Sequence, residues 1–299
     1  MSTALLITLI AIGSKDFSKP TLKLGMKVAQ AFNAKTTIID VGEKISEFSS
    51  QLVELAQDQL ESWDFDAPGV DVLEWAFNYL SQNKLIDIKQ TETGFPKNKL
   101  IDDGEGRKMV YLSGTTCEDV NLILRNGDII AELREEVQFG EYDVTILGKS
   151  RKRNMSHDLL QYINSSILIV NDYEDQKFDK ILLPLDYKDG MLKVAKYAIR
   201  VAMALNVGID IFTVLDKNKS QNKGSNYFSK IIKFIRRSGV QYSHEEKEGE
   251  IVEQIIKKAD KNKIIVMKAS DMSPIKRFFK GSIPLSVMNE CDVPILIVK

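Results

Sequence analysis

The sequence predicts an α/β protein made of two tandem, doubly wound units, each built on a five-stranded parallel sheet of Rossmann-like type. Three observations carry this expectation. The chain has 299 residues, long for one domain and sufficient for two of about 150. Short apolar runs alternate with amphipathic stretches of helical period, as βαβ crossovers require. That order of runs then occurs twice, from Leu5 and again from Lys180.

In the first half, Leu5 to Leu9 reads as a strand, Leu22 to Phe32 as an amphipathic helix and Thr36 to Val41 as a second strand. In the second, Ile181 to Leu185, Met191 to Leu205 and Ile209 to Val214 repeat the series. The two helices end alike, Val28-Ala29-Gln30-Ala31-Phe32-Asn33 against Val201-Ala202-Met203-Ala204-Leu205-Asn206. Further on, Gly127-Asp128-Ile129-Ile130 opens a helix to Phe139, and Asp143 to Leu147 is a strand. Their counterparts are Gly249-Glu250-Ile251-Val252, opening a helix to about Ala259, and the strand Lys263 to Met267. Each half closes on a helix and an apolar strand, Ser166 to Val170 and Pro294 to Val298. The charged stretch Asn171 to Asp179 reads as a linker, giving units at 1–172 and 173–299.

The halves are unequal. The first carries an insertion at about 46–112, with helical pattern over Leu52 to Trp63 and Val70 to Leu80, interrupted at Ala67-Pro68-Gly69. Asp102-Asp103-Gly104-Glu105-Gly106, between Asn98 to Ile101 and Lys108 to Leu112, predicts a β-hairpin. The insertion is expected to cover a sheet face, with Trp63 and Trp75 packing there; a partner-binding surface is the alternative.

With 43% hydrophobic and 28% charged residues, the composition supports packed cores. A net charge of -1 gives no global pull toward nucleic acid or anionic membrane. Two cysteines, Cys117 and Cys291, fall in different halves, which argues against a disulfide framework and for a reducing, cytoplasmic setting. Two histidines, His157 and His244, make no zinc spacing, and His244 beside Glu245 and Glu246 is expected to face solvent. The apolar run Ala4 to Ile12 lacks a preceding Lys or Arg and reads as a buried strand, not a leader or a membrane span. Neither a Gly-x-x-x-x-Gly-Lys-Ser/Thr nor a Gly-x-Gly-x-x-Gly pattern occurs.

The end of the second half carries the most specific pattern: Lys263-Ile264-Ile265-Val266-Met267, a loop, Gly281-Ser282, a helix and Val293-Pro294-Ile295-Leu296-Ile297-Val298. With Asp186 closing Leu183-Pro184-Leu185-Asp186 and with Gly249, this resembles the universal stress protein family. The resemblance implies an adenine-nucleotide crevice between the first and fourth strands, with Asp186, Val214, Ser270, Gly281 and Ser282 around ATP and its Mg²⁺. It also implies intramolecular pairing of the two units. A free edge at the final strand, Ile295 to Lys299, would further allow a homodimer.

The sequence departs from the family motif at two glycine positions, occupied here by Lys268 and Asp271. Asp271 would repel phosphate by roughly 1 kcal/mol at about 4 Å in water and about 4 at an effective dielectric of 20. In the first half Gly148 persists, followed by Lys149-Ser150-Arg151-Lys152-Arg153. Gly148, Lys149, Arg151, Lys152 and Arg153 form a candidate anion site, or a solvated basic loop that pairs with the acidic linker. The expected function is a non-catalytic stress-response protein with degenerate nucleotide motifs. The alternatives are an adenine-nucleotide switch, at most a slow ATPase, and a scaffold for protein or RNA.

Overall fold

The computed structural model describes residues 6–43, 69–87, 101–102, 107–112, 114–115, 119–149, 155–171, 177–186, 189–215, 225–270 and 282–299. The first half contains strands β1 (Ile7–Ile12), β2 (Lys35–Gly42), β3 (Ile101–Asp102), β4 (Arg107–Leu112), β5 (Val120–Asn126), β6 (Val144–Gly148) and β7 (Ser166–Val170). Its helices are α1 (Lys15–Phe32), α2 (Val70–Gln82), α3 (Ile129–Gly140) and α4 (Met155–Tyr162). The second half contains β8 (Lys180–Pro184), β9 (Gly208–Leu215), β10 (Tyr242–Glu248), β11 (Lys263–Lys268) and β12 (Ile295–Val298). Its helices are α5 (Met191–Leu205), α6 (Ser225–Ser238), α7 (Ile251–Lys258) and α8 (Ile283–Glu290).

The strands run in the order β10-β9-β8-β11-β12-β7-β6-β1-β2-β5-β4-β3. Within each half the five shared strands are parallel, and the first and fourth lie side by side: Ile10 opposite Ile146, and Ile264 opposite Ile181. Successive residues point to opposite faces of the pleat. Ile10 and Ile12 accordingly enter a core with α1, α2, α5 and α6, while Leu9 enters one with α3, α4, α7 and α8. Both faces are covered, as a parallel sheet requires.

The expected pair of sheets is one continuous sheet. β12 pairs with β7 antiparallel, Ile295 opposite Ile169, Leu296 opposite Leu168 and Ile297 opposite Ile167. The final strand therefore has no open edge for a second molecule, which corrects the sequence expectation. Above the seam α1 meets α5, with the Phe32 and Tyr197 rings 5.1 Å apart and the Arg200 guanidinium 5.5 Å over Phe32. Asn171, expected in a linker, is instead 4% exposed, and its Nδ2 donates to the carbonyls of Val293 at 2.7 Å and Cys291 at 3.3 Å. Asn171→Ala leaves these buried carbonyls short of a donor and should lower unfolding stability by about 1–3 kcal/mol, read by urea denaturation.

Local chemistry accounts for the boundaries. α1 begins at Lys15 despite Pro20, because the Ser14 hydroxyl accepts from Phe17 N at 3.2 Å and caps it. Asn33 and Asn206 close α1 and α5 in the left-handed region, so the shared helix ends are shared C-caps. The inserted hairpin forms, β3 against β4, and β4 adds antiparallel to β5. α2 buries Val70, Leu73, Ala76, Phe77 and Leu80, and Tyr111 is the one large apolar side chain exposed among the described residues of 46–112. The predicted helix Leu52 to Trp63 lies outside the described residues. His244 is exposed on the edge strand, as expected, with its Nε2 3.2 Å from the Thr213 hydroxyl and its ring 4.7 Å from that of Phe228.

α3 is pinned to β4 and β5 by a buried ionic cluster. Glu136, fully buried, accepts from Arg107 Nε at 2.9 Å, Arg107 Nη2 at 3.0 Å, Arg125 Nε at 3.0 Å and the Tyr142 hydroxyl at 2.8 Å. Burial, with the Glu136 charge next, pushes the Tyr142 hydroxyl well above its ordinary range.

Candidate ligand crevices

In an open parallel sheet, ligands bind beyond the carboxyl ends of the strands, where strand order reverses. Each half has such a point, between β1 and β6 and between β8 and β11. Because β7 and β12 are antiparallel, the two points lie on opposite edges of the sheet.

At the second-half point, Asp186 is exposed two residues beyond β8, and the backbone there is held by Leu185 N donating to Phe212 O at 2.8 Å. Val214 is half-buried near the end of β9, and Ser270 is half-buried just after β11. The parallel register thus brings Asp186, Val214 and Ser270 to one edge. Ser282 is engaged structurally: its hydroxyl accepts from Leu285 N at 3.4 Å and caps α8. Gly281 and Asp271 lie outside the described residues.

The notable group at this edge is the N-terminus of α5. Its cap is Gly190 at φ 90°, with no side-chain cap and no acidic residue in the first turn. The first N–H groups of a helix have no partner within it and carry about half a positive charge. Lys268 lies across this end, so a Cβ on Gly190 would fall 3.0 Å from Lys268 Cε and 3.6 Å from Nζ. Glycine is required here both for its positive φ and for this close approach. The same Lys268 that departs from the family motif thus lies at this helix end.

The first-half point has a different character. A cavity of about 250 Å³ is lined by Ile12, Phe17, Ile129, Leu133, Leu147 and Val170, together with Gly148 and the polar Ser14, Ser18, Thr21, Lys149 and Asn171. Gly148 has a packing reason, since a Cβ there would lie 2.9 Å from Thr21 Oγ1 of α1. Lys149 Nζ donates to Asp292 Oδ1 at 2.8 Å, across the seam, and that hydrogen bond holds the Asp292 carboxyl below its usual range. Arg151, Lys152 and Arg153 lie outside the described residues. Cys291, next to Asp292, is buried, and desolvation first, then Asp292 and Glu290, push its thiol up to about 11, the state of an inert packing cysteine.

Sequence reading missed three groups: the Glu136 cluster, Asn171, and Asp40 at the end of β2. Asp40 is 3% exposed and sits under the start of α2, where a Cβ on Gly69 would fall 2.4 Å from Asp40 Oδ2. Arg107 and Arg125 carried a signal, because both occupy the inward register of Met109 and Ile123. A charge in an inward position demands a buried partner.

No family model matches the chain. A universal stress protein of Methanocaldococcus jannaschii is 26% identical over 140 residues, spanning 41% of this chain and 82% of that protein. Among solved structures, a universal stress protein of Archaeoglobus fulgidus superposes with a TM-score of 0.59 at 14% identity, covering 98% of this chain and 96% of its own. A functionally unknown protein of Pseudomonas aeruginosa gives a TM-score of 0.57 at 13% identity, covering 99% and 93%. At these identities the structures establish the fold, which is shared along the whole chain.

Proposed function

We propose that the chain is a tandem, non-catalytic stress-response regulator of the universal stress protein family, whose second crevice holds the phosphate of an adenine nucleotide. The units are 1–172 and 173–299. The observation that carries the reading is the uncapped start of α5 with Lys268 laid across it. Helix N-termini bind phosphate through their unpartnered N–H groups, and a lysine adds a point charge. Asp186 and Val214 stand at the same edge for the ribose and base, with Ser270 nearby, while Mg²⁺ would enter with the nucleotide.

A regulatory rather than catalytic role is supported by how the remaining polar groups are used. The Ser282 hydroxyl caps a helix and Lys149 is paired with Asp292, so neither is poised to move a proton. ATP hydrolysis needs a group that orients the attacking water. Family membership fixes no stress and no partner.

The test is thermal. Millimolar ATP should raise the melting temperature of the full chain, since a ligand at 100 times its Kd adds about 2.7 kcal/mol. Lys268→Ala should remove most of that rise while leaving the ligand-free melting temperature within about 2 °C, as a half-buried surface change does. No rise in the unaltered protein, together with no nucleotide retained on purification by mass spectrometry, refutes the reading.

A further inference from the structure

We propose that the first-half crevice is a site for a neutral, largely apolar small molecule of about two fused rings, and not for a phosphate. This goes beyond the function above, since it concerns the other edge of the sheet and a different ligand class. Size supports it: an apolar cavity of about 150 Å³ takes benzene, and this one is about 250 Å³.

The charge state of the walls decides the class. Both helices that begin at the cavity are capped from within. At α1, Gly13 N and Ser14 N donate to the Ser18 hydroxyl at 3.0 and 3.2 Å, and Phe17 N donates to the Ser14 hydroxyl at 3.2 Å. At α3, the Asp128 carboxylate accepts from Ile130 N at 3.1 Å and Ala131 N at 3.0 Å, and its charge offsets that helix end. Asp16 places a carboxylate in the first turn of α1, beside Lys15, and Glu132 in the first turn of α3 is paired with Arg125 at 3.1 Å. Lys149 is turned to Asp292, and its N–H donates to Val170 O at 2.7 Å. The Asn171 amide is given to the Cys291 and Val293 carbonyls. Phe17 N, Ile130 N and Ala131 N are therefore already partnered, the Lys149 ammonium is taken up by Asp292, and Lys15, the first residue of α1, lies 3.4 Å from the Asp71 carboxylate. α5, by contrast, is capped by glycine and has no side-chain cap.

The mouth points the same way. Phe17, 56% exposed, and Ile129, 36% exposed, are large apolar side chains that line the opening from the first turns of α1 and α3. Ser18, which holds the turn between β1 and α1, is itself buried. The loop that shapes one wall is thus preorganised, and binding orders little of it.

The experiment uses the full chain and the neutral naphthalene dye Prodan. Its emission should shift to the blue and saturate at one dye per chain, and the signal should persist in millimolar ATP or inorganic phosphate. Phe17→Ser with Ile129→Ser should weaken dye binding at least fivefold, while the melting temperature rise given by ATP, which reads the other crevice, stays as it was. Both substitutions replace exposed side chains, and circular dichroism checks the fold. A signal that does not saturate, that phosphate or ATP displaces, or that the double variant weakens less than fivefold overturns the proposal. Loss of the ATP response alone would count against the second-half reading and leave this one standing.

Discussion

Glu136→Gln should lower unfolding stability by about 3–5 kcal/mol, the range for breaking a buried ion pair by removing one member. Two guanidinium groups converge on that carboxylate, from Arg107 and Arg125, and Glu136 is fully buried. The amide keeps the volume and one acceptor but sets an N–H₂ against donors and removes the charge. Glu132 and Glu135, 3.1 and 3.5 Å from Arg125 Nη1, retain part of the compensation for Arg125. Arg107 depends more heavily on Glu136, which accepts from its Nε and Nη2, while its guanidinium also rests 4.9 Å from the Phe139 ring. Urea denaturation by tryptophan fluorescence reads the effect, and a loss under 1 kcal/mol would refute the account. The fold-level consequence is local: β4 and α3 should loosen first, seen as faster amide exchange over 107–112 and 129–140.

Asp40→Asn should stabilise the protein at pH 8 and do little below pH 4. Burial first, and the neighbouring Asp71 second, raise the Asp40 carboxyl from 3.8 to about 7, with a hydrogen bond from the Val41 backbone opposing. Between these values the folded state holds a proton that the unfolded state has released. Stability from this group is therefore full below about pH 4, falls as pH rises through 7, and is flat above. The total swing is of the order of 4 kcal/mol at about 1.4 per pH unit. Lys15 Nζ, 3.4 Å from Asp71, moderates the neighbouring charge, but both partners are well exposed. Asparagine is neutral at every pH and removes the swing. Equal stabilities of the two proteins at pH 8 would show that Asp40 is ionised without cost.

Much of the architecture was legible because the strands are short apolar runs and the helices are amphipathic. Met191 to Leu205 and Ser166 to Val170 were placed to the residue, and the hairpin of the insertion was read from its glycines. The seam was missed because pairing between distant edges leaves no local mark of its own. A negative signal did exist. Ser-Ile-Leu-Ile-Val of β7 and Ile-Leu-Ile-Val of β12 are apolar on both faces, whereas the true edge β10 reads Tyr-Ser-His-Glu-Glu-Lys-Glu. An edge strand needs charge to discourage association, and a strand without it belongs inside. The crevices were located through the order of strands, but their difference in charge depends on caps and on side chains such as Lys268 and Ser18. Those are settled only once tertiary packing has chosen the rotamers.

The antiparallel seam dictates what a docking macromolecule can perceive. Four strands, β11, β12, β7 and β6, separate the two openings, roughly 20 Å of lateral distance. Over those steps a sheet rotates by about 80–100°. The mouths are consequently at opposed poles with their axes nearly crossed, and a partner seated on one has no view of the other. If occupancy at one pole is to be read at the other, the change has to cross the seam, through these four central strands, the α1–α5 contact above them or the Lys149–Asp292 pair.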